Sequence, residues 1–463
     1  MSGVYKGVKQ MKKRLIVAGL ALFTILLTLG GVDSHASDSS LPPPREVKLD
    51  QLDHGRRIEL GGNEVLVLKL EANPSTGYVW ELREMDPAIL SQRGEGEYRA
   101  HSALFGAPVT LVLRFVGVRE GFTPLRLVYH RPWESTEPAE TFAIQVQTRG
   151  PFTAAQSLEA APRPAAAPRD LGAPSLPEIP TYYNWCDQGG CTPVKDQGDC
   201  GSCWAFSTVA SFESSLLLTD GVEKDLSEQY LLSCNEEGWS CDGGFPAHDY
   251  HIFKIPVGEP AAGAVYESEF PYSATEEPCN PPHMHYETLI SWDYVEPRWY
   301  MMPADVEIKQ ALLDYGPVSA ALCVGSAFAD YPSGGDVFES DESGLCPGFP
   351  YTNHLILLVG WDDNLGSNGA WIMKNSWGPD WGLDGYMYIG YGISDIGRSS
   401  HYVVYGRGDM HVSAIDMDYS KKGPMYTVNT HVTIADEAAD PVPDANVFVD
   451  LMVPAGPTSR KSG

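Results

Sequence analysis

Residues 193–207 read PVKDQGDCGSCWAFS, and this stretch decides the fold of the middle of the chain. After it, apolar side chains recur at helical spacing, at Phe206, Val209, Phe212 and Leu216. Gly221 is expected to end this helix. Cys203 stands at the start, where unpaired backbone N–H groups favour a negative charge. The pattern therefore predicts a helix whose first residue is a reactive thiolate.

Two later motifs supply the partners that such a thiolate needs. His354 opens one apolar strand pattern, and Asn375 ends a second one. A histidine beside the thiol takes its proton and returns it to a leaving group, while the asparagine fixes the direction and tautomer of the ring. The Gln197 amide and the Cys203 backbone N–H are candidate donors to an oxyanion. The predicted catalytic residues are Cys203, His354, Asn375 and Gln197.

Residues 181–406 resemble the papain family of cysteine peptidases. CGSCW at 200–204 is the local signature of these enzymes. NHLILLVGW at 353–361 and WIMKNSWG at 371–378 are similar to the family's histidine and asparagine segments. The resemblance implies an α+β peptidase of two lobes, with the thiol and the imidazole facing each other across a cleft. It implies hydrolysis of peptide bonds through a Cys203 thiolate and an acyl-enzyme, without a cofactor or a metal.

The same resemblance implies a substrate cleft formed by Gly244, Phe245, Pro246, Ala321, Asn353 and Trp377. Gly244 is expected to pair with the backbone of the substrate residue P2, since a glycine lets another backbone approach closely. The apolar residues of this set predict a hydrophobic P2 residue, and Trp377 is expected to shield the hydrogen bond between His354 and Asn375. The sequence after Cys241 carries no histidine-bearing insertion of the exopeptidase type, so we predict an endopeptidase that acts on proteins or peptides.

Nine cysteines lie between residues 186 and 346, an odd number that leaves at least one thiol unpaired unless it bonds another chain. The resemblance implies the disulfides Cys200–Cys241 and Cys234–Cys279. The remaining pairs, Cys186–Cys191 and Cys323–Cys346, are plausible local bridges. Four such bridges would leave Cys203 free.

Residues 46–148 show short segments of alternating apolar and polar residues separated by turns, which predicts an all-β sandwich. The expected strands are 64–70, 109–117, 124–130 and 142–148. NPSTG at 73–77 and RPW at 131–133 resemble two loops of the chagasin family, which are immunoglobulin-like inhibitors of papain-type peptidases. The loop residues are Asn73, Pro74, Ser75, Thr76, Gly77, Arg131, Pro132 and Trp133. The glycine-rich third loop of that family has a looser counterpart in FGAP at 105–108.

The second resemblance implies a partner within the same chain. The loops of a rigid sandwich would fill the cleft as a wedge, without offering a scissile bond within reach of the thiolate. We therefore expect the N-terminal domain to inhibit the peptidase in cis, with cleavage of the linker releasing it.

The remaining segments predict an exported protein. Residues 1–36 have the basic, apolar and small-residue regions of a secretory signal peptide. Its apolar run is shorter than the roughly 20 residues of a membrane-spanning helix, so we expect no stable membrane anchor and a secreted protein, extracellular or periplasmic. Residues 149–180 are rich in proline and alanine and are expected to form a linker. Residues 407–463 predict a partial β-rich domain, with strand patterns at 426–434 and 445–453.

Other classes of function are weighed against the peptidase. The formal net charge of −29 argues against nucleic acid binding, which requires a basic surface. An inhibitor or binding protein with an inactive peptidase domain is disfavoured because all four catalytic candidates are present. A cysteine acyl-transferase such as a transglutaminase commonly orients its histidine with aspartate, whereas this chain has Asn375 and Gln197. For residues 407–463, an adhesion or substrate-binding module remains open.

Overall fold

The computed structural model describes residues 44–150, 152, 179–298, 300–332, 334–346, 351–406, 411–422 and 425–435. The predicted signal peptide, most of the predicted linker and the strand pattern at 445–453 lie outside these residues. Among the helices of the described part, none is long and apolar enough to cross a membrane.

The N-terminal domain is all β. Its strands are β1 (Arg45–Leu49), β2 (Arg57–Gly61), β3 (Glu64–Ala72), β4 (Val79–Glu84), β5 (Leu90–Gln92), β6 (Glu97–Ala100), β7 (Val109–Gly117), β8 (Gly121–His130) and β9 (Glu140–Arg149). One sheet has the order β1-β3-β7-β5, with β6 also paired to β7, and the other has the order β2-β9-β8-β4. Alternate apolar residues of both sheets share one buried core, which includes Leu68, Phe115, Leu127 and Phe142. The four expected strands are confirmed, while the immunoglobulin-like class stays a prediction.

The peptidase domain has two buried cores, one for each lobe. The helices α1 (Cys203–Asp220) and α2 (Glu228–Cys234) belong to the first. The second is built on a sheet with two short helices. Its elements are β10 (Tyr182–Asn184), β11 (Ser291–Tyr294), α3 (Asp305–Tyr315), β12 (Val318–Leu322), α4 (Ser326–Ala329), β13 (His354–Asp362), β14 (Ala370–Lys374), β15 (Tyr386–Gly390) and β16 (Arg398–Val404). The sheet order is β11-β16-β12-β13-β14-β15, with β10 paired to β13.

Two local features of this domain place the site. The helix α1 begins at Cys203 and ends at Gly221, which adopts the left-handed φ of 67° that favours glycine. The strands β13 and β14 are antiparallel neighbours, so the start of β13 lies beside the end of β14. The predicted histidine and asparagine therefore come together at one edge of the sheet.

The structure contains four disulfides and one free cysteine. The bridges are Cys186–Cys191, Cys200–Cys241, Cys234–Cys279 and Cys323–Cys346, which are the four expected pairs. Cys203 is the free cysteine and is buried.

The strand pattern at 426–434 falls within β18 (Met425–Ala435), which pairs with β17 (His411–Lys422) in an antiparallel ribbon. The predicted partial domain beyond residue 406 stays a prediction.

Candidate active site

The free thiol lies at the junction of the two lobes. Cys203 is fully buried at the first residue of α1, and this helix packs against β13. The disulfide Cys200–Cys241 and the hydrogen bond from Gly201 N–H to the Cys241 carbonyl, 3.0 Å long, fix the loop that precedes it. The thiol is therefore held by rigid surroundings on the N-terminal side of the helix.

The predicted base and its orienting residue are in direct contact. The His354 Nε2 lies 2.8 Å from the Asn375 Oδ1, so Nε2 carries the proton that it donates to the amide oxygen. In the neutral ring this leaves Nδ1 as the acceptor, and among the described residues it has no hydrogen-bond partner. Trp377 is buried and its ring centroid lies 5.1 Å from that of His354. The arrangement leaves one imidazole nitrogen available to take up a proton.

Gln197 is buried beside the same edge. Its Nε2 donates to the Cys200 carbonyl at 2.9 Å, and its Oε1 accepts from the Ser376 hydroxyl at 2.7 Å. Its amide nitrogen thus contacts the loop that leads into Cys203, close to the expected oxyanion position.

The protonation of the thiol differs from the sequence-based expectation of a thiolate. Burial raises the pKa of Cys203 to about 12, and hydrogen bonds from the backbone of Leu355 and Trp204 oppose this rise without reversing it. Burial also lowers the pKa of His354 to about 4, against the stabilising hydrogen bond to Asn375. Both groups are therefore neutral at pH 7 in this structure. The physical reason is that the N-terminal domain covers the cleft and removes water from it.

The low pKa of His354 predicts a loss of stability in acid. A histidine in an unfolded chain has a pKa of about 6.5. Burial in the folded protein lowers the pKa of His354 to about 4, so the unfolded chain binds the extra proton first. The contribution is fully present above a pH of about 6.5, is lost as the pH falls towards 4, and amounts to about 3 kcal/mol. We expect unfolding by urea, followed by tryptophan fluorescence at pH 7 and pH 4, to show this loss in the wild type and a smaller one in His354→Gln. Parallel pH dependences of the two proteins would contradict it.

The motif at 73–77 lies against the catalytic edge. Pro74, Ser75 and Thr76 form a buried 3-10 turn, and the Ser75 carbonyl accepts a hydrogen bond of 2.8 Å from the Trp377 indole N–H. Gly77 has a φ of 82°, and a Cβ there would lie 2.3 Å from the ring of Trp133. The loop thus contacts the side chain that shields His354.

The motif at 131–133 binds two paired segments of the second domain, which meet in an antiparallel bridge between Asp196 and Trp377. The Arg131 guanidinium donates to the Gly198 carbonyl at 2.8 Å and forms an ion pair of 3.2 Å with Asp196. Trp133 stacks on Trp377, with ring centroids 5.4 Å apart and planes 9° apart. Pro132 is half-buried between them. Asp196 and Gly198 were not predicted from the sequence, although they lie within the quoted nucleophile segment.

The loop at 105–108, the looser match, also lies beside the thiol. Phe105 forms an antiparallel bridge with Gly244 through two backbone hydrogen bonds of 2.9 Å. The Gly106 N–H donates to the Asn353 carbonyl at 3.1 Å, and a Cβ on Gly106 would lie 3.2 Å from the Cys203 Sγ. Gly106 thus brings a loop backbone close to the thiol, in a turn closed by the hydrogen bond of 3.4 Å from the Ala107 N–H to the Leu104 carbonyl. The expectation that the loops offer no scissile bond within reach of the thiolate stays a prediction.

Most of the predicted cleft residues surround Phe105. Its ring packs edge-on against Phe245 at 5.8 Å, and Ala321 and Leu355 belong to the same buried cluster. Pro246 is buried next to Phe245 in the chain. The predicted substrate-binding residues thus pack directly against the N-terminal domain.

One further contact between the domains was missed by sequence reasoning. Leu345 of the peptidase packs against the core of the N-terminal domain, and its turn lies beside β6. This turn belongs to the loop closed by Cys323–Cys346, and its sequence carries no recognisable signal for the contact.

Within the described residues, one cluster has the residue types of a metal site. Cys234, Cys279, Glu259 and His283 offer ligand atoms within 4.8 Å of one another. The two sulfurs are joined in a disulfide, so neither is a thiolate ligand, and Glu259 is hydrogen-bonded to His283. The cluster is built as a structural crosslink.

A free cysteine at a helix start and an imidazole held by asparagine have the arrangement of a thiol-peptidase site, and three loops of the β domain lie against it. Residues 179–406 match the family model described as papain family cysteine protease, and residues 59–146 match that of the chagasin family peptidase inhibitor. Residues 179–406 are thus similar to the papain family of cysteine peptidases, and residues 59–146 to the chagasin family of peptidase inhibitors.

Known relatives cover the peptidase part. The oryzain gamma chain of Oryza sativa subsp. japonica is 34% identical over 234 residues, 49% of this chain and 60% of that protein. Cathepsin J of Mus musculus is 32% identical over 216 residues, 46% of this chain and 60% of that protein. The chain thus spans about 60% of the length of these relatives. The structure of bromelain from Ananas comosus in complex with the E64 inhibitor is 28% identical, covers 49% of this chain and 100% of that chain, and has a TM-score of 0.41.

Proposed function

We propose that the chain is a secreted cysteine endopeptidase that hydrolyses peptide bonds through Cys203 and is restrained in cis by its N-terminal domain. One observation carries the proposal: the backbone of Phe105 and Gly106 is hydrogen-bonded to Gly244 and Asn353 of the predicted substrate wall, and a Cβ on Gly106 would lie 3.2 Å from the Cys203 Sγ. Residues 1–36 as a signal peptide, 149–180 as a linker and a partial β domain from 407 belong to the same proposal.

The reaction follows from the positions of the three side chains. When the N-terminal domain is displaced, water enters the cleft and lowers the free-energy cost of charging Cys203 and His354. The Cys203 proton can then move to the His354 Nδ1. The thiolate attacks the substrate carbonyl, while the Cys203 N–H and the Gln197 amide stabilise the oxyanion. The imidazolium, held by Asn375 through Nε2, then gives its proton to the leaving amine, and water hydrolyses the thioester.

The contacts of the three loops with the cleft support inhibition of the peptidase by the N-terminal domain of the same chain. Arg131 and Trp133 bind the paired segments of Asp196 and Trp377, Gly106 lies against the thiol, and Cys203 is fully buried. A linker of about 30 residues spans roughly 30 Å as a flexible coil, which keeps the domain at about millimolar effective concentration. Even micromolar affinity would then hold the cleft mostly closed.

The side chain of Phe105 predicts the preference at P2. It is buried against Phe245 in the apolar cluster that also holds Ala321 and Leu355, where a carboxylate would lose its hydration. The variant Gly106→Arg is expected to open the cleft, because a side chain on Gly106 would clash with the Gly201 carbonyl. We expect this variant of the chain to hydrolyse a peptide with phenylalanine at P2 about a hundred times faster, in kcat/KM, than the same peptide with aspartate there. The same exchange at P6, outside the cleft, is the control. Equal rates for the two P2 peptides would remove this assignment while leaving peptidase activity itself intact.

A further inference from the structure

The inhibitory loop lies in the cleft in the register of a substrate. Phe105 pairs with Gly244, which is the backbone pairing expected of a P2 residue, and its side chain occupies the P2 pocket. Gly106 is then the P1 residue, and its N–H is held by the Asn353 carbonyl at 3.1 Å. The peptide bond between Gly106 and Ala107 follows this P1 position, in a turn where Gly106 has a φ of 82° and the Ala107 N–H donates to the Leu104 carbonyl at 3.4 Å.

The carbonyl of this bond accepts a hydrogen bond from the N-terminal domain and not from a candidate oxyanion donor of the peptidase. The Gly106 oxygen accepts a hydrogen bond of 2.7 Å from the Asn73 Nδ2, a side chain of the neighbouring inhibitory loop. The Gln197 amide, a candidate oxyanion donor of the peptidase, donates to the Cys200 carbonyl instead. Because attack requires charge to develop on the carbonyl oxygen within the oxyanion site, a carbonyl held elsewhere is a poor electrophile.

Asn73 is itself firmly positioned. Its backbone N–H donates to the Tyr129 hydroxyl at 2.7 Å, and its Oδ1 accepts from the Ser75 hydroxyl at 2.7 Å. The accepted bond fixes the orientation of the amide, so that Nδ2 faces Gly106. A Cβ on Gly201 would lie 2.8 Å from this Nδ2 and 2.1 Å from the Gly106 oxygen, which shows how closely the peptidase loop encloses the pair.

We infer that Gly106–Ala107 is a latent cleavage site of the chain's own peptidase, and that Asn73 is the positioning residue that keeps it uncut. The inference rests on the proposed peptidase function. If the carbonyl is freed, the Cys203 sulfur forms a bond to the Gly106 carbonyl carbon and the bond to the Ala107 nitrogen breaks. The Ala107 amine takes the proton held by His354, and a water molecule then hydrolyses the thioester, which restores the thiol.

Cleavage there would cut the inhibitory loop at its point of contact with the thiol. The domain then loses the continuous backbone that seats Phe105, and the restraint ends irreversibly. The inhibitory loop would thus differ from a substrate in the hydrogen bond from Asn73 and in the turn at Gly106.

The test uses the full chain with Asn73→Asp and, separately, Asn73→Ala. Aspartate keeps an oxygen for the Ser75 hydroxyl but removes the N–H donor to Gly106, whereas alanine removes both. Intact mass and peptide mapping over time are expected to show a fragment ending at Gly106 and a new N-terminus at Ala107, formed about a hundred times faster than in the wild type. Adding Cys203→Ala to either variant is expected to abolish the cut, and thermal unfolding near that of the wild type checks that both variants fold.

The outcomes distinguish a failure of the inferred cleavage site from a failure of the proposed peptidase function. Uncut Asn73 variants, cleavage of them at other bonds, or a wild type cut equally fast at Gly106–Ala107 would each overturn the inference, provided that the Gly106→Arg chain hydrolyses an added peptide. If the Gly106→Arg chain hydrolyses no peptide, the proposed function fails and the inference fails with it.

Discussion

The full chain carrying Gly106→Arg is expected to hydrolyse a peptide with a hydrophobic P2 residue at least about a hundred times faster than the wild type. Gly106 has a φ of 82°, and a Cβ there would lie 2.1 Å from the Gly201 carbonyl oxygen. This oxygen belongs to the backbone, so rotation of a side chain cannot relieve the clash. A clash at the centre of the interface costs roughly 3 kcal/mol or more, which is a hundredfold or greater loss of docking. The measurement is the initial rate of hydrolysis at equal chain concentrations.

The chain offers a matched control for this variant. Gly55 lies in the same domain with a φ of 80°, and nothing lies within 4 Å of a Cβ placed there. Gly55→Arg therefore tests the same residue exchange and the same backbone conformation without the clash. It is expected to behave as the wild type. A rise in rate for Gly55→Arg, or none for Gly106→Arg, would contradict restraint by this loop.

Replacement of the thiol has the largest expected effect. In the opened Gly106→Arg chain, Cys203→Ala is expected to lower the rate of peptide hydrolysis by about 10⁵-fold or more, because the nucleophile is lost while binding persists. Ser211→Ala on the same helix is the control, since Ser211 is also buried and its hydroxyl donates to the Thr208 carbonyl within the helix. Retention of a tenth of the activity in the Cys203 variant would exclude Cys203 as the nucleophile.

The catalytic edge is predictable from sequence because its determinants are local. A cysteine at the start of an apolar helical pattern, and two strand patterns bounded by His354 and Asn375, fix the ends of elements that pack together. The motifs at 73–77 and 131–133 are equally local, since each is one tight loop. Their contacts with Trp377 require only that the N-terminal domain docks on the cleft, as its resemblance to the chagasin family implies.

What the sequence did not reveal depends on docking in three dimensions. The loop at 105–108 acts through its backbone, so the resemblance of its side chains to a glycine-rich loop is a weak guide to its closeness to Cys203. The pKa values of Cys203 and His354 are shifted away from a charged pair because a second domain excludes water from them. The contact of Leu345 joins residues about 250 positions apart, and no periodic pattern encodes it.

The most direct measurement of the central claim is the site and number of labels that a thiol-directed epoxide leaves on the chain. We expect one label per Gly106→Arg chain, attached to Cys203, with activity falling in proportion to labelling. The wild type should be labelled at the same residue but far more slowly. A label on another residue, or activity that survives full labelling of Cys203, would contradict the account.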